Sequence, residues 1–370
     1  MNPFKFGQVV REESFCRRPQ LQKTLTSYIC SAQNCVLQGD RRMGKTSLVF
    51  QTVADLKGFR ILDVDVLGIK STDDLCKRFA RSILALEQKA GLFEKALAGF
   101  SSLRPTITFD PLSGQPGISF DSTIKLTPDS IKGLFEIVKR NYNRKKTVVF
   151  IDEFQDILNL PDADQTLAMM RAEIQHHQDI PYLYAGSMRN RMLEIFTLPS
   201  SPFFKSALPL EIDAIDQATL IPFLTEKFAE GKRILPHELA VQILGLSDHT
   251  SGDAQQLCSA IWETTRHGEA LEEAHLAPAL EHIFAQEIKG YQATLVQLTG
   301  QQMNCLKALA LMGGKSPASE AFLREAGIQH ASSAKRATTR LAQLEIIYPK
   351  ENDFRFVNPF FKHWLLWKQL

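Results

Sequence analysis

The sequence lacks the features that mark a membrane protein or a structural metal site. No uninterrupted apolar run reaches the ~20 residues needed to span a bilayer, and the first residues lack the apolar segment of a signal peptide. The six cysteines form no CxxC pair and the nine histidines form no HExxH motif. These absences argue against a membrane protein and a structural metal site, and we expect reduced cysteines in a cytoplasmic protein.

The basic and acidic residues nearly balance in number, but they are unevenly distributed along the chain. The 370 residues carry a formal net charge of +2. Residues 295–370 include ten basic and five acidic side chains, whereas the rest of the chain has 33 basic and 36 acidic ones. The basic C-terminal end is a mild indication of an acidic partner, although an ordinary solvated surface could show the same excess by chance.

A short segment near the N-terminus has the spacing of a phosphate-binding loop. Gly39 and Gly44-Lys45-Thr46 fit the pattern GxxxxGK[ST], between the apolar run NCVLQ and the helical run SLVFQTVADL. Lys45 would reach the β- and γ-phosphates, and the Thr46 hydroxyl would bind Mg²⁺. A chance match is the alternative, which the strand and helix context disfavours. The predicted nucleotide-binding residues of this segment are Gly39, Asp40, Arg41, Arg42, Met43, Gly44, Lys45, Thr46 and Ser47.

Two acidic residues follow a second apolar run, KKTVVFIDEFQDIL. In a parallel sheet, the C-terminal end of such a strand lies at the ligand-binding edge. Asp152 would then bind the Mg²⁺ of the nucleotide, and Glu153 would act as the general base that activates water. A buried strand capped by two acids is common by itself, but it is a weaker explanation in a chain that has a P-loop.

A third run, IPYLYAGSMRN, predicts a strand that ends at Gly186-Ser187. Ser187 could contact the γ-phosphate or the attacking water, and a strand that simply ends in Gly-Ser is the default alternative. Alternation of such strands with helical segments predicts an α/β core with a mainly parallel sheet. The segment Thr106–Lys125 alternates around a Gly/Pro turn and predicts a hairpin insertion.

The chain length and the pattern of its segments predict three domains. Residues 1–210 would form the P-loop core, and 211–290, with four amphipathic helical stretches, would form a helical lid. Residues 291–370 predict three helices followed by two strands around the turn Glu351-Asn352-Asp353, which is a winged-helix layout. Its third helix has a basic face with Lys335, Arg336 and Arg340, which could contact DNA or RNA; contact with a protein is the open alternative.

Seven segments together resemble a known group of proteins. They are FCRRPQLQKTL, GDRRMGKTSL, FIDEFQ, YAGSMRN, SPFFKSALPLEI, TSGDAQQL and FRFVNPFFKHWL. In their order and content they resemble the prokaryotic, archaeal-type P-loop ATPases of the AAA+/STAND group, which have a C-terminal winged helix and are related to the origin-initiator branch. The resemblance covers nearly the whole chain.

The resemblance implies roles for further residues. Arg18 stands where these ATPases have an arginine near the bound base, and Ser187 matches their sensor-1 position. The segment SPFFKSA has Lys205-Ser206 where the group has Gly-Arg, so the arginine that acts on a neighbour's γ-phosphate is absent. Gln255 likewise replaces the arginine of the sensor-2 helix. Both replacements imply slow hydrolysis or a differently supplied charge.

The leading hypothesis is an ATPase that works as a nucleotide switch with ATP and Mg²⁺. Closure or nucleotide-dependent homo-oligomerisation would reposition the winged helix, which would engage DNA, RNA or a partner protein. A competing hypothesis is a signalling or defence ATPase whose winged helix contacts only a protein effector. A nucleotide-binding scaffold without hydrolysis is a third, against which Glu153 argues. No guanine-reading NKxD motif is visible, so we expect ATP rather than GTP.

Overall fold

The computed structural model describes residues 1–86, 105–109, 116–120, 128–142, 146–187, 189–350 and 353–367. The chain divides into two compact units. One contains Val9–Asp213, and the other contains Met1–Gln8 together with Ala214–Leu370. The predicted domains 1–210, 211–290 and 291–370 have different boundaries and stay a prediction.

The unit Val9–Asp213 is built on a five-stranded parallel sheet with the order β2-β5-β6-β1-β7. A separate antiparallel pair, β3 and β4, forms the predicted hairpin, whose turn at 110–115 and residues 121–125 lie outside the described residues. The strands of this unit are β1 (Cys35–Gln38), β2 (Arg60–Asp65), β3 (Pro105–Phe109), β4 (Pro116–Phe120), β5 (Thr147–Asp152), β6 (Tyr182–Gly186) and β7 (Leu208–Glu211).

Helices cover both faces of the parallel sheet, because side chains of its central strands are buried on each side. Alternate residues of β5 belong to different cores: Val148 and Phe150 pack with α1 and α2, whereas Val149 and Ile151 pack with α3 to α6. This arrangement confirms the predicted α/β P-loop core. The helices are α1 (Pro19–Cys30), α2 (Lys45–Asp55), α3 (Thr72–Leu86), α4 (Pro128–Tyr142), α5 (Ala163–Ile174) and α6 (Arg189–Thr197). Short 3₁₀ helices lie at Glu12–Ser14 and Phe154–Asn159.

The second unit begins with the four predicted lid helices. The first is capped by Asp216, whose Oδ1 accepts the Thr219 N–H at 2.8 Å. The N-terminus of the chain docks on this part of the unit, since the Phe4 ring lies 4.6 Å from that of Phe228 and Asn2 Nδ2 donates to Ser259 Oγ at 2.9 Å. The helices are α7 (Gln217–Ala229), α8 (His237–Leu246), α9 (Ser251–Thr264) and α10 (Leu276–Val296). A short 3₁₀ helix lies at Glu273–His275.

Three helices and a hairpin follow, which is the predicted winged-helix arrangement. The first helix begins with a capping box, in which Thr299 and Gln302 exchange side-chain and backbone hydrogen bonds. The two strands are antiparallel, and residues 351 and 352 of the predicted turn lie outside the described residues. The elements are α11 (Gly300–Leu311), α12 (Glu320–Glu325), α13 (Ala331–Gln343), β8 (Ile347–Lys350), β9 (Asp353–Phe356) and α14 (Pro359–Trp367).

The last element, α14, corrects the interpretation of the C-terminal segment as two strands alone. Asn358 caps this helix, because its Oδ1 accepts the N–H groups of Phe360 and Phe361 at 2.9 and 3.2 Å. Pro359 occupies the first helical position, where its fixed φ is favourable and its missing N–H costs nothing. The Asn-Pro pair is the helix-start signal in this segment.

Helix α14 packs against the lid. The Tyr291 ring of α10 lies 5.0 Å from Phe361 and 5.2 Å from Trp364. Nε2 of His363 lies 3.0 Å from the Leu246 carbonyl oxygen. These contacts, made by aromatic rings and a hydrogen bond, join the lid and the winged helix into one packed unit.

Candidate functional site

The predicted phosphate loop connects the buried strand β1 to helix α2. Arg42 and Gly44 both have positive φ, at 61° and 80°, so the chain reverses sharply before the helix begins at Lys45. The glycine makes the second of these conformations available without a Cβ clash. The loop therefore places backbone N–H groups and the positive end of the α2 dipole together, which is the geometry that binds a phosphate.

The Lys45 side chain is buried at the base of this loop, with 7% of its surface exposed. Its Nζ donates to the carbonyl oxygens of Gly39 and Asp40 at 2.8 and 2.9 Å. Burial lowers the pKa of Lys45, while the nearby carboxylates of Glu153, Asp152 and Asp40 act in the opposite direction. Because burial outweighs these acids, the ammonium group would gain from an additional anion such as a phosphate.

The two predicted metal-binding residues lie in direct contact. The Thr46 hydroxyl donates to Asp152 Oδ2 at 2.7 Å, although the two residues are 106 positions apart in the sequence. Burial and then the Glu153 carboxylate raise the pKa of Asp152, and the Thr46 hydrogen bond opposes that rise. A hydroxyl and a carboxylate are oxygen ligands of the kind that Mg²⁺ prefers, so this pair fits the cation.

Glu153 and Ser187, the two predicted catalytic residues, also lie together. The Ser187 hydroxyl donates to Glu153 Oε2 at 2.8 Å, and its backbone N–H donates to the same oxygen at 3.2 Å. Arg41 of the phosphate loop donates from Nε to the Ser187 hydroxyl oxygen at 3.4 Å. The ends of β5 and β6 and the loop after β1 thus converge on one group of polar side chains.

Arg18 and Ser47 have structural contacts beside the loop. The buried Arg18 guanidinium donates from Nη1 to the Met43 carbonyl at 3.2 Å and from Nη2 to the Asp213 carbonyl. The Ser47 hydroxyl oxygen accepts the backbone N–H of Val10 at 3.1 Å. Arg18 therefore supports the loop backbone, and its predicted contact with a nucleotide base stays a prediction, as does nucleotide contact by Ser47.

A polar residue that the sequence interpretation left without a role belongs to this group. Gln155 is 2% exposed, and its Nε2 donates to Glu153 Oε2 at 2.6 Å. The available signal was its position two residues after Glu153 in the segment FIDEFQ. That signal was insufficient because a glutamine on a strand-end turn has no fixed orientation until the neighbouring strand is in place.

The two positions where the resembling ATPases have arginines are occupied here by Ser206 and Gln255. The Ser206 hydroxyl donates to the Phe203 carbonyl oxygen at 2.7 Å, and the residue before it is Lys205. Lys205 is exposed at a φ of 51°, the left-handed region that favours the glycine of the similar segment, and its Nζ lies 5.2 Å above the Phe204 ring. Gln255 is 5% exposed in α9, and among the described residues its Oε1 has no hydrogen-bond partner. Neither Ser206 nor Gln255 provides a guanidinium group.

The predicted nucleic-acid contacts share the solvent side of α13. Lys335, Arg336 and Arg340 are all exposed. The opposite side of the helix packs inward through Ala334, Ala337, Thr338 and Leu341. In the described part of the chain the two arginines contact residues of their own helix, Arg336 contacting Ser333 at 3.2 Å and Arg340 contacting Gln343 at 3.3 Å. The three cationic side chains thus share the exposed side of α13.

Two other kinds of site are not found in the described residues. No group of three or more His, Cys, Asp or Glu side chains in the described stretches is placed to hold a metal ion. In the same part of the chain, no helix combines the length and the apolar character needed to cross a membrane. A cation at the Thr46–Asp152 pair would take further oxygen ligands from phosphate or water.

Comparison with known proteins agrees with this architecture. A family model described as a probable winged helix domain matches residues 289–367. A Walker-type ATPase of Pyrococcus abyssi is similar in fold, with a TM-score of 0.67 and 16% identity over 98% of this chain and 99% of that chain. No curated protein matches the sequence.

Two further archaeal structures share the fold. The ORC1 protein of Aeropyrum pernix, solved in complex with DNA, has a TM-score of 0.52 and 12% identity over 97% of this chain and 96% of that chain. The ORC2 protein of the same organism, in an ADP form, has a TM-score of 0.50 and 14% identity over 99% and 97%. At these identities the similarity establishes a P-loop core followed by a helical lid and a winged helix.

Proposed function

We propose that the chain is an ATPase of the AAA+/STAND group that binds ATP with Mg²⁺ and hydrolyses it slowly, as a nucleotide switch. The observation that carries the proposal is the 2.7 Å hydrogen bond between Thr46 and Asp152. It joins the two predicted halves of a Mg²⁺-nucleotide site, which are 106 positions apart in the sequence. The Walker-type ATPase of similar fold and the ADP form of the A. pernix ORC2 protein support the same nucleotide class.

In this proposal each residue of the site binds the nucleotide or Mg²⁺, or orients the attacking water. The loop N–H groups and Lys45 would hold the phosphates, and Thr46 with Asp152 would hold Mg²⁺, which would supply charge neutralisation when bound. Glu153 accepts a proton from water as the water oxygen bonds to the γ-phosphorus. The bond from that phosphorus to the β–γ bridging oxygen breaks, and its electron pair leaves with ADP. Ser187 is close enough to Glu153 to contact the same water or the γ-phosphate.

Slow turnover follows from the replacement of two arginines that the resembling ATPases have. Ser206 and Gln255 stand where the resembling ATPases have arginines, and an arginine that stabilises the transition state contributes about 10³- to 10⁵-fold in rate. A slow ATPase is suited to a switch, because its ATP-bound form persists long enough to engage a partner. Self-association of two chains is one way in which the missing positive charge could be supplied.

The first test is hydrolysis by the unmodified protein. We expect phosphate release from ATP at a rate below about 1 s⁻¹, the lower end of ordinary enzymes, and only when Mg²⁺ is present. A malachite-green or radiolabel assay across a Mg²⁺ titration, with EDTA as the control, measures it. Equal rates in Mg²⁺ and EDTA, or a clear preference for GTP, would contradict the proposal.

We further propose that the winged helix engages DNA through the basic side of α13. Three exposed cations on one helix side would pair with phosphates, and helices of this type read the major groove. The A. pernix ORC1 protein of similar fold was solved bound to DNA, which supports this choice. Because the lid and the winged helix pack as one unit, ATP-dependent movement of the lid would carry α13 with it.

Binding to duplex DNA across a salt series tests this part of the proposal. Replacing Lys335, Arg336 and Arg340 together by alanine should weaken DNA binding and reduce the slope of log K against log salt by about 3, since each lost phosphate contact contributes about 0.9. Fluorescence anisotropy with a labelled duplex, at several KCl concentrations, measures both quantities.

A matched control replaces three exposed lysines of the ATPase core, Lys23, Lys57 and Lys70, by alanine. This variant has the same net charge as the α13 variant, and it should retain the salt slope of the unmodified protein. Equal slopes for all three proteins, or no DNA binding by any of them, would instead favour the protein-effector alternative.

A further inference from the structure

The carboxylate of Glu153 is held through one of its two oxygens. Three donors converge on Oε2: the hydroxyl of Ser187 at 2.8 Å, its backbone N–H at 3.2 Å and the side-chain amide of Gln155 at 2.6 Å. Among the described residues, no hydrogen bond reaches Oε1. One oxygen of the predicted base is thus anchored, and the other is left to accept a proton.

The backbone of Glu153 explains why such anchoring is needed. The residue adopts the left-handed conformation, with φ 52° and ψ 38°, immediately after β5. This conformation is uncommon for a residue with a Cβ and persists where surrounding contacts hold it. The hydrogen bonds from Gln155 and Ser187 provide those contacts.

The amide oxygen of Gln155 is buried in an unfavourable environment. The side chain is almost fully buried, and among the described residues its Oε1 has no hydrogen-bond partner. A buried carbonyl oxygen without a donor is unfavourable, and an apolar side chain of similar size would avoid it. The amide nitrogen makes its short contact with Glu153 Oε2, at 2.6 Å, and a longer one with Asp156 Oδ1, at 3.4 Å.

The end of β6 leaves space for the side-chain amide of Gln155. A Cβ on Gly186 would overlap Oε1 of Gln155 and lie 2.6 Å from Cγ of Met192. Only glycine leaves the space that Gln155 occupies, and the next residue, Ser187, contributes the other two donors. The Gly186-Ser187 pair therefore forms a socket for Gln155 and for the Glu153 carboxylate at once.

We infer that Gln155 is a positioning residue that orients the Glu153 carboxylate for activation of water, an inference that rests on the proposed ATPase function. Gln155 anchors Oε2, so that Oε1 is presented to the water whose proton it accepts. Loss of this hydrogen bond leaves the carboxylate held by the two donors of Ser187 alone and therefore less firmly oriented. Misplacement of a catalytic group by about 1 Å can cost on the order of 100-fold in rate. Nucleotide binding, which depends on the phosphate loop, should be unaffected.

The first measurement separates turnover from binding. Gln155→Leu removes the amide at similar size, and Gln155→Asn retains an amide that is one methylene too short to reach Glu153. For both variants we expect kcat for ATP to fall roughly 10- to 100-fold while the Kd for a fluorescent ATP analogue changes less than about 2-fold. Gln165→Leu, at an exposed position of α5, is the matched control and should retain the unmodified kcat.

The second measurement is a pH profile of Gln155→Glu. A protonated carboxyl at this position can donate to Glu153 Oε2, whereas an ionised one repels it. The kcat of this variant relative to the unmodified protein should therefore rise as pH falls from 8 to about 5.5, over the range in which a buried glutamate gains its proton. A purely structural role for Gln155 would lower kcat at every pH alike.

The outcomes distinguish this inference from the function on which it rests. If the unmodified protein hydrolyses ATP and Gln155→Leu and Gln155→Asn do so at the same rate, the positioning role is wrong and the ATPase stands. Parallel losses of kcat and ATP affinity, with a pH-independent Gln155→Glu, would also overturn it. If the unmodified protein does not hydrolyse ATP, both proposals fail.

Discussion

Replacing Glu153 by glutamine should leave ATP binding intact and reduce hydrolysis by at least about 100-fold, the usual contribution of a general base. The substitution keeps the size of the side chain. Its amide oxygen can accept the same hydrogen bonds from Ser187 and Gln155 that Glu153 Oε2 accepts now. An amide cannot take the proton from water, so the variant isolates proton transfer from positioning. Single-turnover hydrolysis and a nucleotide-binding titration, performed on one preparation, measure the two effects.

Glu194→Gln is the control for this variant. Glu194 is an exposed acid on α6, so its replacement makes the same change of charge without touching the site. We expect both its turnover and its ATP affinity to match those of the unmodified protein. Unchanged turnover in Glu153→Gln would remove Glu153 from the mechanism, and a parallel loss of ATP binding would assign it to binding instead.

The phosphate loop and the acidic strand end could be predicted because local chemistry determines them. Gly44 occupies a backbone conformation that side chains disfavour, and the lysine and threonine that follow it have fixed chemical tasks. The buried run of β5 ends at Asp152, and a parallel sheet brings such ends to one edge. Their spacing in the sequence therefore contains most of the information about their position.

Contacts between distant strands could not be predicted in the same way. Gln155 gains its role from Gly186, which lies on another strand and whose missing side chain is what admits it. Arg18 donates to the carbonyl of Asp213, a residue 195 positions later. Neither partner can be singled out in the sequence, because every residue has a backbone carbonyl and the chain has 20 glycines.

The prediction of two strands alone for the C-terminal segment was wrong for a different, local reason. Four apolar residues of α14, Phe360, Phe361, Trp364 and Leu365, recur at helical spacing and are all buried. The run NPFFKHWLLW is also rich in aromatic residues, which favour strands when taken one by one. The cap at Asn358 and packing against the lid stabilise the helix instead.

Replacing Lys45 by alanine should abolish useful ATP binding, with a rise in Kd of at least about 100-fold, or ~3 kcal/mol, as is typical for loss of one partner of a buried charge pair. The ammonium group is buried and its pKa is lowered, chiefly by that burial. It is therefore incompletely compensated by Asp152, Glu153 and the two carbonyl oxygens that it contacts. Phosphate oxygens would complete its surroundings, which is why we expect a large effect on affinity. Isothermal titration with ATP and Mg²⁺ measures it.

The same electrostatic argument predicts that Lys45→Ala will fold. A lysine whose pKa is lowered in the folded state opposes folding at neutral pH, where the unfolded chain holds the proton more easily. Removing it deletes this penalty together with the hydrogen bonds to Gly39 and Asp40, so the free energy of unfolding should change little. Lys57→Ala, at an exposed position just after α2, is the control for affinity and for thermal stability. A folded Lys45→Ala protein that binds ATP as tightly as this control would show that the loop after β1 does not hold the phosphates.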